Sequence, residues 1–230
     1  AIDAGKTLDK ILLRRDMTST IGKELLKKLM GTTTPVQKVP VEKLNQYTDK
    51  NHQGAIAFLS PIDFCSLETL VPTLFEEGKT PLLMVLDGVT DVRNFGAIAR
   101  TCACAGADAL IIGSHGSVAI NGDAVKTSAG ALYHLPVCKV DNLQHALQFL
   151  RDSGFTVLAA TEHATDNYTE VDMTMPTAIV MGSEEKGIYE GNLRICSHQV
   201  RIPMSGVIES LNVSVAAGVM LYEAVRQRGC

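Results

Sequence analysis

Three short stretches of the 230-residue chain concentrate side chains able to do chemistry. In "VLDGVTDVRNFGAIARTCACAGA", residues 85–107, an apolar run breaks into a loop holding Asp91, Arg93, Asn94 and Gly96, and Arg100 follows among small apolar residues. In "AIVMGSEEKGI", residues 178–188, an apolar run ends in Gly182, Ser183 and Glu184, and Gly187 is read as opening a helix. In "RIPMSGVIESLNVSVAAGVMLYEAVRQR", residues 201–228, Ser205, Gly206, Glu209, Ser210, Asn212 and Ser214 crowd the start of a helical pattern. An arginine presents five donors in a rigid fork that suits a phosphate or a carboxylate. Glycines beside small polar residues let a ligand approach the backbone closely. Each stretch also has a plain structural reading. Asp91 or Asn94 caps a helix, Ser210 caps another, Glu184 favours a helix N-terminus, and Arg100 is solvated or ion-paired. Three such loops exceed what capping requires, provided that the strands carrying them are neighbours.

The negative signals narrow the chemistry. The dinucleotide fingerprint G-x-G-x-x-G is absent, which argues against a nicotinamide-dependent oxidoreductase. No G-K-[ST] follows a glycine-rich loop, so there is no P-loop. The six cysteines, at 65, 102, 104, 138, 196 and 230, form no C-x-x-C pair and lack zinc-ligand spacing. They are expected to be reduced, mostly buried thiols of a cytoplasmic protein that holds no metal.

The elements that must position these residues follow from periodicity. "DKILLRR" (9–15) reads as a strand, and "STIGKELLKKLM" (19–30) as a helix with Ile21, Leu25, Leu26 and Leu29 on one face. "PVQKVP" then suggests a strand, "VEKLNQY" a short helix and "GAIAFLS" a further strand. From Pro81 onward the runs "PLLMVLDGV", "ALIIG", "PVCKV", "TVLAAT", "TAIVMG" and "QVRIPM" alternate with helical stretches near 95–105, 121–128, 141–152, 188–196 and 211–228. Apolar strands alternating with helices predict a parallel α/β sheet covered on both faces, with ligands at the carboxyl ends of its strands. The expected organisation is a small α/β unit over residues 1–63, a linker with one helix over 64–80, and a larger α/β domain over 81–230. Gly218, in mid-helix beside Ala216 and Ala217, predicts close approach of another helix, within the chain or across a dimer.

Composition sets wider bounds. A hydrophobic fraction of 46% with 20% charged residues fits a globular core. No window nears the roughly 18 apolar residues of a membrane span. The first residues lack the apolar core of a signal peptide, and the absence of an initiator Met predicts that further residues precede them. Residues 1–50 carry ten Lys/Arg against six Asp/Glu, and the remainder is net acidic. A basic first segment on an acidic body suits a module that touches nucleic acid.

The three stretches, in this order, resemble the three motifs of the SpoU, or TrmH-type, branch of the SPOUT RNA methyltransferases. The resemblance covers residues 81–230. The unit before it, with "NHQGAIAF", resembles the small L30e-like domain that precedes the catalytic domain in 23S ribosomal RNA guanosine-2′-O-methyltransferases. The resemblance implies an α/β-knot domain with a trefoil knot, S-adenosylmethionine as cofactor, and an obligate homodimer whose site combines both subunits. By motif position, Asn94 and Arg100 are the first pair, with Arg100 at the ribose 2′-hydroxyl and its phosphate. Glu184 is the acid of the second motif, and Ser210 with Asn212 the pair of the third. Thr161, Gly182, Ile202, Met204 and Leu211 would cradle the cofactor. An RNA substrate, preferably ribosomal, would be gripped by Lys6, Lys10, Arg14, Arg15, Lys23, Lys27 and Lys28. A transfer-RNA ribose methyltransferase and a non-catalytic RNA-binding member of the fold are the alternatives. Two positions depart from the family pattern: Val92 stands where proline is usual and Glu185 where glycine is.

Overall fold

The computed structural model describes residues 2–3, 6–17, 20–30, 32 and 34–229, with the side chains of residues 20 and 21 excepted. The N-terminal unit holds β1 (Leu8–Arg14), α1 (Thr20–Leu29), β2 (Val36–Val39), α2 (Val41–Asn45) and β3 (Ala55–Leu59). β1 lies between β2, parallel to it, and β3, antiparallel to it. Leu8, Ile11, Leu13 and Leu29 form a small core under that sheet. The Ile21 expected on the same helix face lies outside the described side chains. Leu26 is exposed, so the apolar face of α1 is narrower than its sequence suggests.

α3 (Leu67–Glu76) starts at Ser66, whose side chain accepts the Thr69 N–H. It buries Leu67, Val71 and Leu74 against the larger body, so the 64–80 segment is packed rather than free. The body continues with β4 (Leu82–Asp87), α4 (Val92–Cys104), β5 (Ala109–Gly113), α5 (Gly122–Thr127), β6 (Val137–Val140) and α6 (Leu143–Asp152). It ends with β7 (Thr156–Ala160), β8 (Asp166–Asn167), β9 (Thr177–Gly182), α7 (Glu190–Leu193), β10 (His198–Arg201) and α8 (Val213–Arg228). All seven strands are parallel, in the order β6-β5-β4-β9-β7-β10-β8.

Their apolar runs are continuous because both faces are covered. Leu82, Met84 and Leu86 face α4, α5 and α8, while Leu83 and Val85 face α3 and α6. Gly96 lets α4 and α5 close together, since a Cβ there would lie 2.0 Å from Thr127 Oγ1. Val92 is the first residue of α4, a position where proline is tolerated but not required.

The strand order qualifies one expectation. β4 and β9 are neighbours, but β10 is separated from β9 by β7. The third loop therefore reaches the others through residues 202–212, an irregular segment that leads back to α8 against α4. One further expectation is corrected and another is narrowed. The N-cap of α8 is Asn212, not Ser210, because the helix starts at Val213 and the Asn212 side chain takes the Ser214 N–H. Gly218 does not mark a tight contact within the chain, since a Cβ there would meet only Thr101 Cγ2, at an ordinary 3.7 Å.

The end of α8 is tied down by Glu223, whose side chain is 5% exposed. Its carboxylate accepts from Arg226 Nε at 2.9 Å, Arg226 Nη2 at 2.7 Å and Gln227 Nε2 at 2.7 Å. Gln227 in turn holds the Met173 N–H and the Val171 carbonyl. The Arg226 hydrogen bond, foremost, holds the Glu223 carboxyl below the ordinary glutamate value. The ionised form is thus the stabilising one. Its contribution is complete above the ordinary value, about 4.3, and is lost as pH falls through the lowered folded-state value. Glu223→Gln is expected to lower stability at pH 7 by about 1–2 kcal/mol. The gap from the parent should narrow as pH falls below about 4. Urea denaturation over a pH series measures both effects.

Candidate functional site

The carboxyl ends of β7 and β9, with the 202–212 segment and the start of α8, enclose a cavity of about 350 Å³. That size lies within the range of small-molecule sites, roughly 300–1,000 Å³. Thr161, Gly182, Glu184, Ile202, Met204, Ser210, Leu211 and Asn212 all line it.

One carboxylate organises the rim. Glu184 Oε1 accepts the Asn94 side-chain amide at 3.2 Å, the Asn212 side-chain amide, and the Val213 N–H at 3.3 Å. Asn212 Nδ2 also donates to Asn94 Oδ1 at 3.0 Å. Asn212 Oδ1 is occupied by the Ser214 N–H at 3.0 Å and the Ser214 hydroxyl at 2.6 Å. Asn94 is held in place because Asp91 caps α4, accepting the Arg93 N–H at 2.8 Å and the Asn94 N–H at 2.9 Å. Glu184 does favour a helix N-terminus, but that of α8 rather than the helix following it in sequence.

The loop carrying Glu184 closes on itself. Ser183 and Gly187 exchange backbone hydrogen bonds at 3.1 and 2.9 Å, and Ser183 Oγ accepts the Lys186 N–H at 3.1 Å. Gly187, at φ +63°, therefore turns this loop rather than opening a helix, which begins only at Glu190. Gly182 is required by the same closure, since a Cβ there would lie 2.2 Å from the Gly187 carbonyl carbon and 2.3 Å from Ile188 N. Glu185, the position where the resemblance has glycine, is exposed beyond this contact.

Arg100 stands elsewhere. It is exposed on the outward side of α4, outside the cavity, with no ion pair or hydrogen bond from its side chain among the described residues. It is neither a buried nor an ion-paired arginine. The basic residues form no part of the cavity either. Lys6, Arg14, Arg15, Lys23, Lys27 and Lys28 are exposed on the N-terminal unit. Arg14 pairs with Asp16 at 2.7 Å and Lys28 with Asp3. Lys10 is half-buried, its ammonium 4.7 Å from the Phe58 ring centre.

Some residues escaped the sequence reading. Glu162 and Glu209 bring two further carboxylates to the cavity wall, and Ala216 an apolar patch. Glu209 lies inside a stretch already singled out, but nothing in its spacing aims it inward. Asp87 matters at one remove. At the end of β4 it accepts the Tyr189 N–H at 2.7 Å and the Asn192 side-chain amide at 2.8 Å, which pins the far end of the 183–188 loop. An acid terminating an apolar strand was the available signal.

Cys102, Cys138 and Cys196 have thiols pushed up to about 12 by burial, which keeps them protonated and inert. Cys65 and Cys104 are exposed, contrary to the expectation of mostly buried thiols, and Cys230 lies outside the described residues. Among the described residues no three His, Cys, Asp or Glu side chains cluster as a metal site. None of their helices is long and apolar enough to cross a membrane.

Comparison with known proteins places this geometry. The SpoU rRNA Methylase family model matches residues 81–222, and the model for RNA 2′-O ribose methyltransferase substrate binding matches residues 1–65. A protein of Staphylococcus saprophyticus, described as a TrmH family tRNA/rRNA methyltransferase, is 35% identical over 228 residues, covering 99% of this chain and 92% of the relative. The SpoU methyltransferase AviRb from Streptomyces viridochromogenes, solved in complex with the cofactor AdoMet, superposes with a TM-score of 0.65 at 27% identity, covering 99% of this chain and 86% of that one. The A. aeolicus TrmH/SpoU tRNA modifying enzyme does so with a TM-score of 0.60 at 34% identity, covering 71% and 84%.

The two glycines of the loop separate two effects. Gly182→Ala forces backbone apart and is expected to cost about 1–3 kcal/mol. Gly187→Ala meets no atom within 4 Å and costs only the strain of a positive φ, about 1 kcal/mol. Chemical denaturation of the two variants checks the order.

Proposed function

The chain belongs to the SpoU rRNA Methylase family, and from that premise we propose that it transfers a methyl group from S-adenosylmethionine to a ribose 2′-hydroxyl in RNA, with a guanosine of 23S ribosomal RNA as the substrate. The observation that carries this reading is the cavity behind the Asn94–Glu184–Asn212 joint. Its wall suits the cofactor chemically. Ile202, Met204, Leu211 and Ala216 offer apolar surface to an adenine and a thioether chain. Glu162, Glu209 and Ser210 offer polar groups to an ammonium and to hydroxyls.

S-adenosylmethionine, when bound, supplies a methyl group on an electron-poor sulfur. The chain's residues orient the reactants and exclude water. The Glu184 joint holds the loop of Gly182 and the start of α8 at one separation. A ribose hydroxyl is a weak acid, and an ordinary arginine stays protonated throughout the physiological range. Arg100 therefore acts by neutralising the 2′-oxygen as charge develops and by gripping the adjacent phosphate.

The exposed position of Arg100, outside its own chain's cavity, supports a site completed by a second copy. α8 supports this as well. It buries Val213, Ala217, Met220 and Leu221, yet Val215 and Tyr222 on other sides are each 52% exposed. A helix apolar on every side is normally buried on every side. We assign residues 1–63 to RNA binding, 64–80 to the connection and 81–230 to catalysis. The match of residues 1–65 to a substrate-binding family model supports the first of these.

Incubation with labelled S-adenosylmethionine and separated ribosomal and transfer RNA, followed by mapping of the modified ribose, tests the substrate. Label on transfer RNA alone would favour the alternative. Arg100→Ala is expected to lower methyl transfer at least 100-fold with S-adenosylmethionine affinity nearly unchanged, as calorimetry would measure. Lys27→Ala with Lys28→Ala should weaken RNA binding and flatten its salt dependence by about one unit of log–log slope per lysine. Val215→Glu with Tyr222→Lys should shift the sedimentation of the protein from dimer to monomer.

A further inference from the structure

One buried ion pair takes no part in the cavity. Lys139 lies on β6, at the edge of the large sheet, and Asp9 on β1, the central strand of the small one. Lys139 Nζ is 2.9 Å from Asp9 Oδ1 and also donates to the Asp9 carbonyl oxygen at 2.8 Å. Their side chains are 3% and 5% exposed. The ammonium lies 4.9 Å from the centre of the Phe64 ring. This charge interrupts the apolar run "PVCKV", where an apolar residue would bury without penalty.

A buried pair of this kind gains little over two apolar residues of equal volume, because both charges must leave water. What it adds is a single arrangement. Apolar surfaces can slide on one another, whereas the ammonium is satisfied only where both Asp9 oxygens meet it. The connection between the sheets is fixed as well. The Cys65 N–H donates to the Val137 carbonyl at 2.9 Å, and Cys65 bridges Cys138 in parallel register along the β6 edge.

We propose that the Lys139–Asp9 pair sets the angle between the N-terminal unit and the body, and so selects which nucleotide of a bound RNA reaches the cavity. Both are positioning residues. The inference rests on the RNA-methyltransferase reading above. β1 is the lever: Asp9 sits near its start, Arg14 ends it and Arg15 follows, and both arginines are exposed. Five residues of strand span about 17 Å. A tilt of about 0.1 radian at the joint would move the arginines by about 2 Å, and a misplacement of about 1 Å can cost on the order of 100-fold in rate.

The test is the double variant Lys139→Met with Asp9→Leu, which removes both charges and leaves neither unpaired. Fluorophores introduced through unnatural amino acids at the exposed Lys50 and Asp152 report the separation of the two units. The variant is expected to keep S-adenosylmethionine and RNA affinities within about twofold of the parent. Its distance distribution should broaden, its kcat on RNA should fall at least tenfold, and methylation should spread to neighbouring nucleotides. If the double variant does not fold, Lys139→Gln with Asp9→Asn, neutral yet hydrogen-bonded, carries the same comparison. A parental distance distribution, or a parental rate at a single nucleotide, overturns the proposal. A parent chain that methylates no RNA overturns the enzymatic reading instead, and the distance distribution then still decides the joint.

Discussion

The carboxylate of Glu184 is where three distant parts of the chain meet. It takes hydrogen bonds from Asn94, 90 residues earlier, and from Asn212, 28 residues later, and it also receives the first N–H of α8. Each partner is itself held: Asn94 by the Asp91 cap and Asn212 by Ser214. The charge therefore works twice, as a helix N-terminal anion and as the clasp between loops. Without it, α8 would start beside an open cavity with unpaired amides around it.

The clasp is possible only because of the strand order. β9 is inserted between β4 and β7, so the loops after β4 and β9 emerge side by side. β10 emerges beyond β7, and the irregular 202–212 segment brings its continuation back. That return supplies one wall of the cavity and delivers Asn212 to the clasp. Close packing maintains the arrangement, with Gly96 allowing α5 against α4 and Gly182 allowing its loop to fold on its own backbone.

Charge is distributed according to the same division. The N-terminal unit presents exposed lysines and arginines, while the body places carboxylates at its cavity: Glu162, Glu184 and Glu209. A polyanion would be attracted to the first and a cationic cofactor to the second. Between them sits the one closely shielded ammonium–carboxylate contact among the described residues, Lys139 with Asp9. Arg100 is exposed on α4, outside that cavity, with no side-chain ion pair or hydrogen bond among the described residues.

Much of this was legible without coordinates. Short apolar runs and period-3.6 patterns located most strands and helices of both units, because burial on both faces of a strand, or on one face of a helix, leaves those patterns in any sequence; the two-residue β8 carries no such run. The three polar loops were visible because glycine, asparagine and serine cluster where apolar runs end. Their order in the sheet was not legible. Strand order is decided by long-range pairing, and "TAIVMG" reads equally well beside any other buried parallel strand. Side-chain direction was hidden for the same reason. Arg100 and Asn94 share one helix, yet only the packing of α4 against the sheet and α8 decides that one meets Glu184 and the other faces outward. Ser210 reads as a cap until the start of α8 is known, and nothing in "PVCKV" shows that Lys139 meets Asp9. Sequence by itself determined most of the elements, their type and the polar residues at their ends, since these follow from local burial and backbone preference. Only the tertiary structure decided which of those ends share a cavity, because that depends on contacts between residues far apart in the chain.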